Sequence, residues 1–455
     1  MRGDEWEEGM EEKPLRRCSV LTYGVGHMLN DITQSCWYTY LLLYLTDIGL
    51  PPSSAATVTL TGQFADAFTT MIVGELIDRF GRFKIWHGVG CVMVALSFTS
   101  LFGGACVPCR IMASDSTTAQ TLGYCFFAVL FCCGWSCTQI SHMSMVNCIS
   151  LNESSRIASV SCRNAFTMVA SLILYAVTFF IFSDSTTSPR SQDTKVQYRW
   201  MAFVSVLIGG FFVIIFHLGI KEPSKRKDGC AKIRNKTPWT YWLKKVSYYQ
   251  VASVYVLTRV VTNVSQSFLA VYVINDLRMN QSSKSLVPAI IYLCSFTTSV
   301  LLQELEWSNK RLKTLFSCGG LLWLLCGAIV MWLPMNMNHF MYALSILIGI
   351  ANSLMMVTST GMESALVDKH LDGSAFVYGS MGFVDKVLCG VALYFLESFE
   401  DADPVPCDPT HACFSVTRFS LGFIPGIAAL LGAIVSFTMK LQTSHLKPLE
   451  NPLLA

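Results

Sequence analysis

Twelve stretches of mostly apolar residues follow one another along the chain, near 20–45, 54–77, 85–106, 119–147, 158–183, 200–219, 248–274, 285–303, 314–333, 339–360, 375–398 and 414–440. About 20 such residues is the length at which a helix crosses a hydrocarbon layer of about 30 Å. Inside that layer every backbone N–H and C=O needs a partner, which only helices and closed barrels supply. No stretch shows the alternating pattern of a barrel strand. The expected fold is an all-α membrane protein with twelve transmembrane helices. Composition agrees: 14% of residues are charged and the mean hydropathy is +0.46, whereas soluble domains carry about 25% charged residues. A net charge of +3 leaves no footprint for nucleic-acid binding.

The connections are short except for 220–247, a basic segment that includes Lys225, Arg226, Lys227, Lys232, Arg234 and Lys236. It divides the chain into a tail (1–19), a six-helix bundle (20–219), a linker (220–247), a second six-helix bundle (248–440) and a tail (441–455). Cytosolic loops of membrane proteins are enriched in Lys and Arg. With the N-terminus cytosolic, the tails and the loops on that side hold about 23 of the 33 Lys and Arg. The opposite loops hold Arg110, Arg190, Lys195, Arg199, Arg278 and Lys284. Both termini are therefore expected in the cytosol, and residues 1–18 read as a cytosolic tail rather than a signal peptide.

Most of the 18 cysteines lie inside apolar stretches, where Cys acts as a small hydrophobe. Cys106, Cys109, Cys407 and Cys413 fall on the far side, where disulfides persist; Cys407 and Cys413 are the candidate bridge. The C-x-x-C spacing of Cys106 and Cys109 lacks the His cluster or thioredoxin-like context of a metal or redox site. Of the sequons at Asn152, Asn235, Asn263 and Asn280, only Asn280 faces the far side, so it is the candidate glycosylation site. The segment Glu450-Asn451-Pro452-Leu453-Leu454 resembles an acidic dileucine signal, which implies endolysosomal sorting adaptors as partners.

Ionisable groups deep in a bilayer are costly and mark function by default. Asp31 lies near the middle of the first stretch and Asp66 within the second. Arg163 lies in the fifth, Arg259 in the seventh, and the adjacent Asp385 and Lys386 in the eleventh. Two neighbouring carboxylates at similar depth suit a cation or a shared proton, with Arg163 and Lys386 to neutralise them or hold a substrate carboxylate. The alternative is a packing network, with pairs such as Asp31–Lys386 or Asp66–Arg163. Trp135, Gln139 and His142 share one helix face, as do Arg259, Asn263 and Gln266. Each face either lines an aqueous cavity or makes interhelical hydrogen bonds. No nucleophile–base motif or zinc H-E-x-x-H is present, so neither an enzyme nor a cofactor or metal is expected.

Between the second and third stretches, Gly74-Glu75-Leu76-Ile77-Asp78-Arg79-Phe80-Gly81-Arg82-Phe83-Lys84 reads as a short basic gating loop. Gly74 permits close helix approach, Asp78 pairs with Arg79, Arg82 or a neighbouring helix end, and Gly81 permits a tight turn. The pattern G-x-L-x-D-R-x-G-R-x-K resembles the signature loop of the major facilitator superfamily, which implies two six-helix bundles around a central cavity. Leu21-Thr22-Tyr23-Gly24-Val25-Gly26 through Asp31, Tyr40-Leu41-Leu42-Leu43-Tyr44-Leu45-Thr46-Asp47 and Asp66-Ala67 resemble its glycoside–pentoside–hexuronide:cation symporter branch. That resemblance implies cation or sugar roles for Asp31, Asp66, Arg163 and Lys386. Thr70 and Phe131 stand where those symporters carry a cation-site and a sugar-site aspartate.

A closer resemblance, to the domain-containing-12 family of that superfamily, rests on four stretches. They are Gly26-His27-Met28-Leu29-Asn30-Asp31, Gly134 through His142, Thr258 through Gln266, and Ser374 through Val387. It implies cysteine import into lysosomes and melanosomes. The readings to be separated are a cysteine importer, a cation-coupled symporter of sugars or lipids, and a membrane receptor or scaffold that transports nothing.

Overall fold

The computed structural model describes residues 15–80, 82–103, 116–149, 153–183, 191–220, 239–303, 308–367, 374–399 and 415–439. Its helices follow the apolar stretches. Helix α1 comprises Arg17–Gly24, a 3-10 turn at Val25–His27, and Met28–Asp47. Then come α2 (Pro52–Phe80), α3 (Phe83–Phe102), α4 (Thr117–Ile149), α5 (Glu153–Ser183) and α6 (Ser191–Gly219). A short helix, Trp239–Leu243, precedes α7 (Val246–Val271), which ends in a π turn at Tyr272–Asp276. The second half continues with α8 (Ser283–Gln303), α9 (Asn309–Trp332), α10 (Phe340–Val367) and α11 (Ser374–Ser398). Last is α12, built from Val416–Arg418, a π turn at Phe419–Phe423, and Ile424–Thr438.

Ten of these helices are long and apolar enough to cross a membrane by length and composition. The exceptions to the expected twelve are α1 and α2. Their apolar character is diluted by Asn30, Asp31, Thr33, Gln34 and Ser35 in one, and by Gln63, Asp66, Thr69, Thr70 and Glu75 in the other. Of these polar groups, Asn30, Asp31, Thr33, Ser35, Gln63 and Asp66 are buried. Conversely, Phe180, Leu207 and Trp332 are 73%, 72% and 76% exposed, as suits side chains that meet lipid rather than water.

Without a hydrophobic drive between helices in lipid, close backbone approach supplies much of the association. Helices α3 and α4 cross at a pair of glycines. A methyl on Gly90 would lie 2.6 Å from the Gly134 carbonyl oxygen, and one on Gly134 would lie 2.9 Å from that of Gly90. Gly134→Leu should therefore destabilise the purified protein by about 1–3 kcal/mol or more, the usual range for overpacking. Thermal unfolding in detergent reads this, and an unchanged midpoint contradicts the tight crossing.

Within the first half α3 and α2 pack on α4, and α1 packs on α5 and α6. Within the second, α9 and α8 pack on α10, and α12 on α9 and α7. The halves meet through α2 with α11, α5 with α8, and α1 with α7. Part of this seam is polar. The Tyr40 hydroxyl lies 3.0 Å from Thr178 Oγ1 and 3.1 Å from Ser285 Oγ, and Gln266 donates to Thr39 at 3.0 Å.

The expected gating loop is mostly helix. α2 continues through Gly74 to Phe80, and a side chain added at Gly74 would meet open space, so no close approach demands glycine there. Among the described residues of the turn, Arg82 adopts the left-handed conformation, with φ 59°. Lys84 then reaches the end of α6, donating to the carbonyls of His217 at 2.7 Å and Ile220 at 2.9 Å, acceptors a helix C-terminus leaves open. The side chains of Asp78 and Arg79, Gly81, Cys106, Cys109, Cys407, Cys413, Asn152, Asn235, the segment Glu450 to Leu454 and most of the linker lie outside the described residues. Asn280 is exposed between α7 and α8, whereas Asn263 is buried.

Candidate functional site

Asp385 and Lys386 are neighbours, and successive residues on a helix point about 100° apart. They therefore address different partners. Asp385 faces α7, accepting from Arg259 Nε at 3.1 Å. Lys386 faces α2 across the divide between the halves. Its Nζ lies 2.8 Å from Asp66 Oδ1, donates to Thr70 Oγ1 at 2.7 Å, and sits 5.2 Å from the centre of the Trp135 ring. Ser136 also donates to Asp66. Thr70, which replaces a carboxylate in the symporter resemblance, thus serves as a neutral acceptor for Lys386.

Asp31 has a different partner. It is 2% exposed and lies 2.8 Å from Nδ1 of His27, four residues earlier on the same face. Thr167 donates to its other oxygen at 2.9 Å, and an Nη of Arg163 lies 3.4 Å from His27 Nδ1. The expected pairs Asp31–Lys386 and Asp66–Arg163 are therefore replaced by Asp31–His27 beside Arg163, and by Asp66–Lys386. The cause is helix neighbourhood: α11 packs on α2 and α5 packs on α1.

A cavity of about 200 Å³ lies between the halves. Gln34, Ser35 and Tyr38 of α1 and Thr167 of α5 line it from one side, and Arg259, Asn263 and Gln266 of α7 from the other. The face Arg259–Asn263–Gln266 thus meets a cavity. Asp31, Asp66, Arg163 and Lys386 are not among its described lining residues. Arg259 is the one charged side chain among them. Behind it Asp385 also accepts from the Cys389 thiol at 3.2 Å, and Glu363, 5% exposed, adds a further carboxyl to the same surroundings. A larger hollow of about 880 Å³, lined by Val89, Val92, Leu207, Phe211 and Ile214, is an apolar groove on α3 and α6, away from these charges.

The face Trp135–Gln139–His142 divides among different neighbours. Trp135 lies under Lys386, and Gln139 is half-buried. His142 is fully buried, stacked 4.2 Å from Tyr23, and donates Nε2–H to its carbonyl at 2.9 Å. Seven residues span about 10 Å of helix, far enough to change surroundings. Among the residues described, no group of three or more His, Cys, Asp or Glu is placed to hold a metal. Sequence reasoning left out His27, Thr167, Glu363 and Cys389. For His27 the signal was there, in its i, i+4 spacing to Asp31.

Comparison with known proteins extends this picture to a family. The model for the MFS/sugar transport protein family matches residues 22–443. Human major facilitator superfamily domain-containing protein 12 is 31% identical, over 96% of this chain and 95% of its own length. The mouse protein of that name is 30% identical over 97% of each. A solved D-xylose–proton symporter shares the fold, with a TM-score of 0.70 at 12% identity, covering 95% of this chain and 98% of its own. Two packed sets of helices enclose a polar cavity and are joined by the Asp66–Lys386 pair, and the chain belongs to the MFS/sugar transport protein family of the major facilitator superfamily.

Proposed function

We propose that the chain is an alternating-access transporter that carries cysteine from the cytosol into lysosomes or melanosome-like organelles, with both termini cytosolic. The observation that carries this reading is the cavity at Arg259. Its volume of about 200 Å³ falls below the roughly 300–1,000 Å³ of sites for drug-sized ligands and suits a small amino acid. Its one described charge is a guanidinium, which binds carboxylates through a planar fork. Arg259 uses Nε for Asp385, which leaves its Nη groups for a substrate carboxylate. Amide oxygens of Gln34, Asn263 and Gln266 accept from the ammonium, and Thr167 connects the cavity to Asp31. Lys386 and Asp66 are engaged with each other and act in the movement. A carboxylate at Arg259 shares the guanidinium with Asp385, and Asp385 sits beside the Lys386 that bridges the halves, so binding and rocking share α11. The domain-containing-12 resemblance supplies cysteine as the substrate and the endolysosomal membrane as the location.

Labelled cysteine uptake into endolysosomal vesicles, with and without the protein, tests this beside cystine, serine and melibiose. Uptake confined to cysteine is expected. The family description favours a second reading, a cation-coupled sugar symporter. Against it, Phe131 is buried and stacked 4.9 Å from Trp37, where the sugar-site aspartate of the resembled symporters would stand. Melibiose uptake without cysteine uptake would move that reading first, and flux of no solute would favour a receptor or scaffold.

A further inference from the structure

Four histidines form a column through the first half that the cavity alone does not require. His27, His87 and His142 are at most 1% exposed, and His217 is half-buried near the end of α6. His217 Nε2 lies 3.0 Å from His87 Nδ1. The His87 and His142 rings are 5.8 Å apart between centres, and those of His142 and His27 are 5.5 Å apart. His27 Nδ1 meets Asp31 Oδ1 at 2.8 Å, and Thr167, on the other Asp31 oxygen, lines the central cavity. The groups facing the column are Tyr23 and Asp31 from α1, Lys84 and Cys91 from α3, and Arg163 from α5.

The hydrogen bonds fix which nitrogens carry protons. His87 donates Nε2–H to the Gly26 carbonyl at 3.1 Å, so its Nδ1 accepts from His217. His142 donates Nε2–H to the Tyr23 carbonyl, so its Nδ1 is an acceptor, and that atom is buried with no hydrogen-bond partner among the described residues. The Asn30 amide lies 3.4 Å from His27 Nε2, which leaves Nδ1–H for Asp31. A relay needs an open acceptor such as His142 Nδ1.

We infer that His217, His87, His142, His27 and Asp31 form a proton path between the central cavity and the end of the molecule where α6 terminates, and that cargo movement is coupled to it. The inference rests on the transport reading above, in which that end is cytosolic. A proton arriving at His217 Nδ1 sends the Nε2 proton to His87 Nδ1. His87 releases its Nε2 proton to His142 Nδ1, and His142 releases its own to His27 Nε2. His27 then passes Nδ1–H to Asp31, which becomes a neutral carboxylic acid. Ring rotation closes the two longer steps, and the reverse order carries a proton out. With an acidic organelle lumen the favourable direction is from the cavity to the cytosol. Cysteine entry is then exchange against protons.

The test uses the purified full chain in liposomes with an internal pH dye, comparing wild type with His87→Gln and with His217→Gln. Gln retains a donor for Gly26 at position 87, and position 217 is near the surface. Expected is proton movement opposite to cysteine in the wild type, reduced at least fivefold in both variants, with cysteine counterflow at equal pH retained. Net cysteine uptake by the wild type without opposite proton movement, or unchanged proton movement in both variants, overturns the relay and leaves the transport reading intact. If wild type exchanges no cysteine, the cargo reading fails and the relay is decided by cargo-free collapse of a pH gradient. The relay predicts collapse at least threefold slower in both variants than in wild type, and equal rates overturn it.

Discussion

Replacing Asp66 by Ala is expected to destabilise the purified protein by about 3–5 kcal/mol, the cost of leaving one member of a buried ion pair alone, and to stop transport. The side chains of Asp66 and Lys386 are 10% and 13% exposed and 2.8 Å apart, so Lys386 would keep Thr70 but lose its counter-charge. The double variant Asp66→Ala/Lys386→Met should recover most of the stability, because apolar replacement of a whole buried pair is often neutral. It should not recover transport, since the polar link between α2 and α11 is gone. Unfolding in detergent and uptake into vesicles read the two effects separately. A single variant as stable as wild type would mean that the pair does not hold the halves together.

Arg259→Lys is the second large effect. Lysine keeps the charge but replaces a planar fork with a point donor, so one head group can no longer hold Asp385 and also present a second edge to the cavity. The protein should fold, because Asp385 keeps a cation. Half-saturation for cysteine should rise at least tenfold, which is about 1.4 kcal/mol of lost binding. Equal half-saturation in wild type and variant would remove Arg259 from the substrate site.

The helices were legible because lipid imposes a length and a composition that few other folds share. The charged positions inside the apolar stretches were legible too, because burying a charge in a membrane is costly; Glu363 was missed because it lies just beyond the stretch 339–360. Their pairing was not. Spacing along one helix shows that Asp385 and Lys386 point in different directions, but only the packing of α11 between α2 and α7 decides that one meets Asp66 and the other Arg259. His27 with Asp31 was the exception, a contact within a single helix. The basic turn misled in its extent. The segment from Gly74 was read as loop, yet a glycine in lipid does not end a helix, and α2 runs on to Phe80. Trp135, Gln139 and His142 show the limit of a shared face, since Lys386 and Tyr23 lie against its opposite ends.

The central claim is that a small amino acid binds between the two halves with its carboxylate on Arg259. Counterflow of labelled cysteine in liposomes holding the purified protein, with unlabelled cysteine or cysteamine as competitor, tests it most directly. Cysteamine keeps the thiol and the ammonium and lacks only the carboxylate. The account predicts saturable counterflow that cysteine blocks and that cysteamine leaves nearly untouched at a tenfold higher concentration. Equal block by both compounds, or no counterflow from folded protein, would contradict it.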